Sequence, residues 1–430
     1  MLRKKQSFAI NNFKETKNQL LYWSNHYGSC AFLDNQQYKS RYNSAECIVG
    51  VGAMKIFSTV AANHQKQLQT FIEETNDWLF GHICYDYTNC ITTQLIPKKE
   101  DNICFESIYF YQPEIVLILN KDKLDIESLT LNPEVVFNEI VAFISNSETF
   151  FHPKLTLQSK ITKEEYLSTI NTIKKHILRG DCYEINFCQE FFSNEAVINP
   201  LSIYKQLTTI SPNPFSCYYK LNDKYLLCAS PERYIKKTGN QLISQPIKGT
   251  IKRDNTNLFQ DEAFKEELKN SSKDRAENVM VVDLVRNDFS KICKEASVKV
   301  TELFGIYTFP QIHQMVSTIE GELPEEVGFV DILHATFPMG SMTGAPKRSV
   351  MKLIDLYEPS KRGLYSGAVG YISPEKNFDF NVVIRSILYN STNQYLSYQV
   401  GSGITHYSDP DAEYEECLLK AASIRQVLQT

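Results

Sequence analysis

Two pairs of acidic residues have the spacing of metal ligands on a helix. Asp274 and Glu277 lie three residues apart, and Glu413 and Glu416 repeat that spacing, with Lys420 four residues further on. On a helix this spacing puts the members of a pair on one face. Four carboxylates from two facing helices, with room for waters and a ligand carboxylate, are typical of a Mg²⁺ site. Taken alone, each pair is explained more simply as acids that complement a helix dipole and point into water.

A glycine-rich segment, residues 340–347, superficially resembles a phosphate-binding loop. Ala345 and Pro346 separate its last glycine from its lysine, which breaks the nucleotide-binding pattern. The segment therefore indicates a turn into a helix N-terminus, compatible with a supporting role at a bound anion.

The composition is that of an ordinary globular protein. Of 430 residues, 43% are hydrophobic and 22% charged, and the formal net charge is -5. No basic surface favours nucleic acid or an anionic membrane, and no apolar run approaches the length of a membrane span. The N-terminal residues lack the apolar region of a secretion signal. The 11 cysteines include no C-x-x-C pair, so we expect reduced thiols in a cytoplasmic protein.

Strand and helix patterns mix without the regular alternation of a parallel fold. Thr162 and Glu165 form a capping box ahead of an apolar helical repeat that Gly180 ends. Antiparallel strands mixed with helices indicate an α+β fold. Periodicity predicts strands over 183–187 and 378–385, and helices over 261–268, 273–285, 346–356 and 410–428.

Several segments, in order along the chain, resemble motifs of the chorismate-utilising enzymes related to anthranilate synthase component I. They cover roughly residues 160–425, a stretch long enough for a large domain. The first 155 residues match only loosely. The matching segments are 180–186, 230–233, 246–250, 273–278, 283–288, 313–317, 337–338, 344–347, 362–363, 367–371, 384–385, 401–404 and the helix around Glu413.

The resemblance implies an α+β fold in which two β-sheets form a sandwich with helices packed between them. It implies a Mg²⁺-dependent site in the cleft, with the two acid pairs as metal ligands. Residues 1–155 would be the N-terminal part of the sandwich, with a regulatory or structural role. Residues 156–430 would be the chorismate-binding catalytic region.

Two positions distinguish the reactions of this family. Lys248 stands where anthranilate-forming members typically carry alanine. A lysine there resembles the members that form 4-amino-4-deoxychorismate and use it as a covalent nucleophile. Glu184 stands where isochorismate and salicylate formers place a water-activating lysine and the amino-transferring members a glutamine. Its role is left open by the resemblance.

The resemblance also implies roles around chorismate, which carries two carboxylates and an allylic 4-hydroxyl. Glu232, just after an apolar strand, would protonate the leaving hydroxyl, and His313 would lie near that group. Arg385 is predicted on a strand whose alternate residues face the other way, so it could offer a bidentate fork to one carboxylate. The other predicted substrate contacts are Tyr371, Gly249, Thr250, Gly401, Gly403 and Lys420.

Ammonia would come from a partner, because the sequence has no Gly-x-Cys-x-Gly nucleophile turn. The resemblance implies a glutamine amidotransferase subunit that forms a heterodimer with this chain. The leading hypothesis is amination of chorismate to 4-amino-4-deoxychorismate, on the route to 4-aminobenzoate and folate. The alternatives are formation of anthranilate, and a catalytically silent subunit that only activates an amidotransferase.

Overall fold

The computed structural model describes residues 2–38, 42, 45–59, 65–90, 99–143, 154–309 and 312–429. Within these ranges the strands form two antiparallel sheets, here called sheet A and sheet B. The strands of sheet A, from one edge to the other, are β1 (Lys4–Ala9), β8 (Lys123–Ser128), β7 (Ile115–Leu119), β3 (Cys47–Val51), β2 (Ser29–Asp34), β11 (Phe215–Leu221), β12 (Lys224–Ser230), β21 (Ser386–Asn390), β22 (Tyr395–Ile404), β10 (Glu184–Ser193) and β18 (Gly344–Ala345), with β9 (Gln158–Ser159) beside β10.

Sheet B is built in the same way from strands that are far apart in the chain. Its strands, in spatial order, are β15 (Ile247–Lys252), β17 (Ile312–Glu322), β14 (Gln241–Gln245), β13 (Arg233–Thr238), β20 (Phe378–Asn381), β19 (Ala368–Ile372), β5 (Leu79–Ile83), β6 (Ile108–Gln112) and β4 (Lys55–Thr59), with β16 (Lys299–Thr308) beside β17.

Eleven α-helices lie in the described part of the chain. They are α1 (Phe13–Ser24), α2 (Gln65–Thr75), α3 (Pro133–Ala142), α4 (Lys163–Arg179), α5 (Pro200–Ile210), α6 (Leu258–Asn270), α7 (Ser272–Ser290), α8 (Phe329–Thr336), α9 (Lys347–Tyr357), α10 (Pro410–Lys420) and α11 (Ala422–Gln429).

The expected α+β sandwich of two sheets with helices is confirmed. The sheets touch directly where the Tyr111 hydroxyl of sheet B donates to the Gly50 carbonyl of sheet A over 2.8 Å. Helices α4, α5 and α10 pack on sheet A, and α6 packs on sheet B. Helix α7 lies against β15 and β17 of sheet B and also touches β18 of sheet A.

Local sequence signals explain several helix ends. The capping box predicted at the start of α4 is present, since Thr162 and Glu165 bond each other's backbone N–H. Gly180 ends that helix in the left-handed conformation, with φ of 87°, which a glycine adopts without strain. The side chain of Ser271 caps α7 by accepting from the Asp274 N–H, and this cap fixes where the first acid pair begins.

Two predicted elements are shorter than the periodicity suggested. The helix predicted over 410–428 is two helices, because α10 ends at Lys420 and α11 starts at Ala422. Cys417 and Ile424 lie in one apolar core, so the helical spacing continues across the break. The strand predicted over 378–385 ends at Asn381.

The division of the chain at residue 155 stays a prediction. Residues 144–153, next to that boundary, lie outside the described residues. Strands that precede it occur in both sheets, beside strands that follow it. None of the helices described here is long and apolar enough to cross a bilayer.

Candidate active site

A polar cavity opens where the β15 end of sheet B faces β10 and β22 of sheet A. It contains about 910 Å³ of empty space, part of it open to solvent, which is the size of a site for a small molecule. The helices α7 and α10 close one side of it. Its lining includes the predicted residues Glu232, Lys248, Gly249, Thr250, Asp274, Glu277, Arg385, Gly401, Gly403, Glu416 and Lys420.

Lys248 carries the amine at the centre of this cavity. Its Nζ lies 2.5 Å from Oε1 of Glu184, which starts β10 on the facing sheet. Burial pushes the pKa of Lys248 down, but the carboxylates of Glu184, Glu277 and Glu416 outweigh burial and hold that pKa above its ordinary value. The resting amine is therefore an ammonium group in a buried ion pair.

Gly403 on β22 makes room for this ion pair. A Cβ atom at residue 403 would lie 2.5 Å from the Lys248 Nζ and 2.7 Å from the Glu184 Oε1. Both distances are too short for real contacts, so any side chain here would displace the amine. Gly403 therefore matters because it has no side chain, which lets the Lys248 amine and the Glu184 carboxylate lie against β22.

Glu232 lines the cavity two residues after the end of β12. It is 4% exposed, and its Oε1 accepts a 2.6 Å hydrogen bond from the Ser341 hydroxyl. Burial raises the pKa of Glu232 to about 7, although the Ser341 hydroxyl, the Ile247 backbone and Lys248 act in the opposite direction. A carboxyl group that titrates near neutrality suits a general acid.

The two acid pairs lie on helices α7 and α10 and approach the same lysine. Lys273 connects them, since its Nζ lies 3.4 Å from the Glu413 Oε1 and 4.0 Å from the Glu277 Oε1. Glu416 pairs with Lys420 at 2.7 Å. Lys420 is the main reason why the pKa of Glu416 is lowered to about 2. Burial raises the pKa of Glu277 to about 7.

The acids fit a divalent cation in their chemistry and in one geometric respect. All four offer carboxylate oxygens, the ligands that Mg²⁺ prefers. Oε1 of Glu277 is buried and has no hydrogen-bond partner, and a buried carboxylate oxygen is costly to leave unpaired. No three of Asp274, Glu277, Glu413 and Glu416 bring ligand oxygens within 4.8 Å of one another. Metal binding therefore requires that the Lys273 ammonium withdraw and that the carboxylates close up.

Three potential ligands do lie within 4.8 Å of one another elsewhere, at Asp34, Glu46 and Cys47. The ammonium group of Lys17 already occupies the centre of that group, 2.6 Å from Asp34 and 3.1 Å from Glu46. The cluster is thus explained as a buried ion pair between a helix and a strand.

Arg385 reaches the cavity by a different route from the predicted one. It follows the end of β20 and precedes β21, with φ of 52°, so strand alternation does not orient it. Its Nη1 donates to the Lys420 carbonyl over 3.4 Å. Lys420 in turn donates to the Gly401 carbonyl over 3.0 Å. Arg385 and Lys420 thus place two cations on one wall of the cavity.

Three predicted site residues, His313, Tyr371 and Glu413, lie outside the cavity lining, and their predicted roles stay predictions. The ring of His313 bonds Thr308 and Asp261, at 3.0 and 2.9 Å. The next residue of β17, Gln314, lines the cavity instead, because neighbouring side chains of a strand face opposite ways. Tyr371 packs against Trp78 with ring centres 5.6 Å apart and lines a separate cavity.

Sequence analysis did not single out Ser341 or Lys273 as site residues, and it left Glu184 open. Ser341 lies in the glycine-rich segment 340–347, where a hydroxyl beside glycines at a helix start was the available signal. Lys273 adjoins the first acid pair in the chain. The contact of Glu184 with Lys248 joins residues 64 positions apart on different sheets. A contact of that kind leaves no local signal.

The fold and this acid-lined cavity define a chorismate-binding enzyme: a family model of that description matches residues 17–426, and the chain belongs to this family. Among its relatives is aminodeoxychorismate synthase component 1 of Bacillus subtilis (strain 168), 37% identical over 62% of the chain and 56% of that protein. The chain thus spans little more than half the length of this curated relative. An anthranilate synthase component I-like protein of Synechocystis sp. is 33% identical over 85% of the chain and 76% of its own length.

A solved structure supports the fold. Anthranilate synthase component I from Streptococcus pneumoniae TIGR4 superposes with a TM-score of 0.78 at 24% identity, covering 90% of this chain and 94% of that one. The sandwich of two sheets is therefore the architecture of a known protein.

Proposed function

We propose that this protein aminates chorismate to 4-amino-4-deoxychorismate through a covalent adduct on Lys248. The observation that carries the proposal is the position of the Lys248 amine in the cavity lining, together with Glu232, the acid helices and two cations. The identity with component 1 of the Bacillus subtilis aminodeoxychorismate synthase supports it.

The charges of the cavity fit a substrate with two carboxylates. The guanidinium of Arg385 and the ammonium of Lys420 lie on the same wall, and a guanidinium binds a carboxylate through two parallel hydrogen bonds. Gly401 and Gly403 also line the cavity. One carboxylate of chorismate would bind at these groups, and the ring carboxylate would face the acid helices.

Asp274, Glu277, Glu413 and Glu416 would hold Mg²⁺ at that second carboxylate. When bound, the ion supplies Lewis-acid polarisation of the ring carboxylate and the conjugated diene. It also offsets the negative charge of the helices, which otherwise favours the ammonium form of Lys248.

The adduct forms by a displacement in which every bond is accounted for. The neutral Lys248 amine adds to ring carbon C2, the two double bonds shift, and the C4–O bond breaks. The Glu232 carboxyl gives its proton to the departing hydroxide, which leaves as water. Ammonia then adds to C4, the double bonds shift back and the C2–N bond to Lys248 breaks. The ionised Glu232 takes the surplus proton from the new amine, so the cycle closes.

A glutamine amidotransferase subunit would deliver the ammonia. The Bacillus subtilis relative is component 1 of its synthase, which supports a second component for this chain also. Free ammonium salt at high pH is expected to replace that subunit in an assay.

Anthranilate formation is the second candidate, because the Synechocystis relative at 33% identity is an anthranilate synthase component I-like protein. The presence of Lys248 disfavours anthranilate formation. Anthranilate-forming members of the family typically carry alanine at this position, and direct attack of ammonia on the ring requires no lysine nucleophile.

The test is an incubation of the purified chain with chorismate, Mg²⁺ and ammonium. The expected product has the mass of 4-amino-4-deoxychorismate and yields 4-aminobenzoate with the matching lyase. Fluorescent anthranilate as the product would refute the proposal. Lys248→Ala is expected to lower the rate on the order of 10³- to 10⁶-fold, as loss of a covalent nucleophile does in other enzymes. An unchanged rate in this variant would favour direct attack.

A further inference from the structure

Glu184 is a buried carboxylate to which the proposed reaction gives no role. It is the first residue of β10, and β18 pairs with it through Ala345. Only 2% of its surface is exposed. Its Oε1 lies 2.5 Å from the Lys248 Nζ, so it touches the atom that is to form the covalent bond.

The second oxygen of Glu184 makes its burial more costly. Oε2 is buried and has no hydrogen-bond partner, so the ammonium of Lys248 carries most of the compensation for this charge. Among the described residues, Glu184 has the only carboxylate within 4.0 Å of the Lys248 Nζ. Glu184 is therefore the direct ionic partner of Lys248.

A pair of this kind constrains how Lys248 reacts. An ammonium nitrogen has no lone pair, so Nζ must lose a proton before it can bond to carbon. Loss of that proton to solvent would leave Glu184 as an unpaired buried carboxylate, which is strongly unfavourable. If the proton crosses from Nζ to Oε1 first, an ion pair becomes a neutral pair, and no net charge is left in the protein interior. The 2.5 Å contact is short enough for that transfer without a water molecule.

We propose that Glu184 is a further catalytic residue, which takes the proton of the Lys248 ammonium as the amine adds to C2 and returns it when the amine is expelled. The inference rests on the proposed function. The N–H bond of Lys248 breaks as an O–H bond forms on Glu184, and the lone pair left on Nζ makes the bond to C2. After ammonia displaces the amine, the same proton moves back and restores the ion pair.

The substitution Glu184→Gln tests this role with little change of shape. The amide keeps the size of the side chain and can still accept a hydrogen bond from Lys248, but it takes up no proton. Its matched control is Glu190→Gln, since Glu190 is a buried glutamate of the same strand, bonded to the Tyr395 hydroxyl over 3.0 Å. Far-ultraviolet circular dichroism and thermal melting of both variants check the fold.

The measurement is the rate at which the full-length chain gains the mass of chorismate minus water on Lys248, with Mg²⁺ and without ammonium. We expect Glu184→Gln to slow this step on the order of 10²-fold, the usual contribution of a general base. The KM for chorismate should stay within about threefold, because binding does not require the transfer. Glu184→Asp, which restores a carboxylate on a shorter stem, should recover part of the rate, and Glu190→Gln should match the parent.

An adduct rate in Glu184→Gln equal to or above that of the parent would overturn the inference, since it would show that Glu184 only holds the resting ammonium. A folded Glu184→Asp variant no faster than Glu184→Gln would overturn it as well. Failure of the proposed function looks different, because the parent protein itself would then form neither the adduct nor 4-amino-4-deoxychorismate.

Discussion

Glu232 and Glu416 line the same cavity, yet their pKa values are shifted in opposite directions. Burial raises the pKa of Glu232 to about 7, and its hydrogen-bond donor is a neutral hydroxyl. By contrast, the ammonium of Lys420 lies 2.7 Å from Glu416 and the pKa of that carboxyl falls to about 2. Glu232 is buried, whereas the side chain of Glu416 is 42% exposed. The difference therefore comes from burial at Glu232 and from the charge of Lys420 at Glu416.

This contrast shows how one residue type serves two purposes. A buried carboxyl beside a hydroxyl keeps a proton that it can give away near neutral pH. A half-exposed carboxyl beside an ammonium stays ionised and is ready to bind a cation. Substitutions near Glu232 and near Glu416 should therefore have different effects.

The largest effect should come from Glu232→Gln, at the proposed proton donor. The amide fills the same space but has no acidic proton, so kcat for amination should fall on the order of 10²- to 10⁴-fold. Steady-state assays with ammonium would measure this, with the KM for chorismate as the check that binding survives. Retention of most of the activity would assign the leaving-group proton to another residue.

Gly403→Ala should be the next most damaging change, although it removes no functional group. The added methyl would lie 2.5 Å from the Lys248 Nζ, and misplacing a reacting atom by about 1 Å can cost on the order of 10²-fold. Ser402→Ala is the control, because the Ser402 hydroxyl contacts Tyr166 at 3.2 Å among buried residues away from the cavity. Equal activity in the two variants would mean that Lys248 has more freedom than the structure shows.

Glu416→Gln, at one of the proposed Mg²⁺ ligands, should weaken the activation by Mg²⁺. We expect the concentration of Mg²⁺ for half-maximal activity to rise on the order of 10- to 100-fold. Glu415→Gln is the neighbouring control, since Glu415 is exposed and lies 3.5 Å from Lys163 on the other side of α10. Removal of Mg²⁺ with a chelator should stop the parent enzyme, and a parent that stays active would exclude the metal.

The mildest effect is expected from Ser341→Ala, which should shift the pH dependence of the activity. The Ser341 hydroxyl stabilises the ionised form of Glu232 and so lowers its pKa. Since Glu232 must be protonated to act, activity should fall as pH rises through its pKa of about 7. Without the hydroxyl the pKa rises, so this alkaline limb should move to higher pH, while kcat at the optimum drops by less than about tenfold. A limb that stays in place would separate Glu232 from that titration.

The sequence predicted best where spacing within one element decides the geometry. The three-residue spacing of Asp274 and Glu277, and of Glu413 and Glu416, put both acid pairs on helices that approach the same lysine. The capping box before α4 was equally local. These features depend on neighbours within one or two helical turns, so the chain itself encodes them.

The sequence is least informative where the direction of a side chain depends on tertiary contacts. His313 has a residue type that suits catalysis, yet β17 turns its ring toward Asp261 and turns Gln314 toward the cavity. The alternation predicted for Arg385 fails because the chain leaves sheet B after Asn381. The role of Glu184 depends on a contact between two sheets, which no window of sequence contains.

The strand order of sheet A has a consequence for the synthesis of the protein on the ribosome. In the finished sheet, β21 and β22 fill the space between β12 and β10, although they are made last of the four. At roughly 5–20 residues per second, the open edges of β10 and β12 wait on the order of ten seconds for these partners. During that interval the nascent chain presents unpaired backbone that other chains can join. Translation speed between these strands should thus influence how much of the protein reaches the folded state.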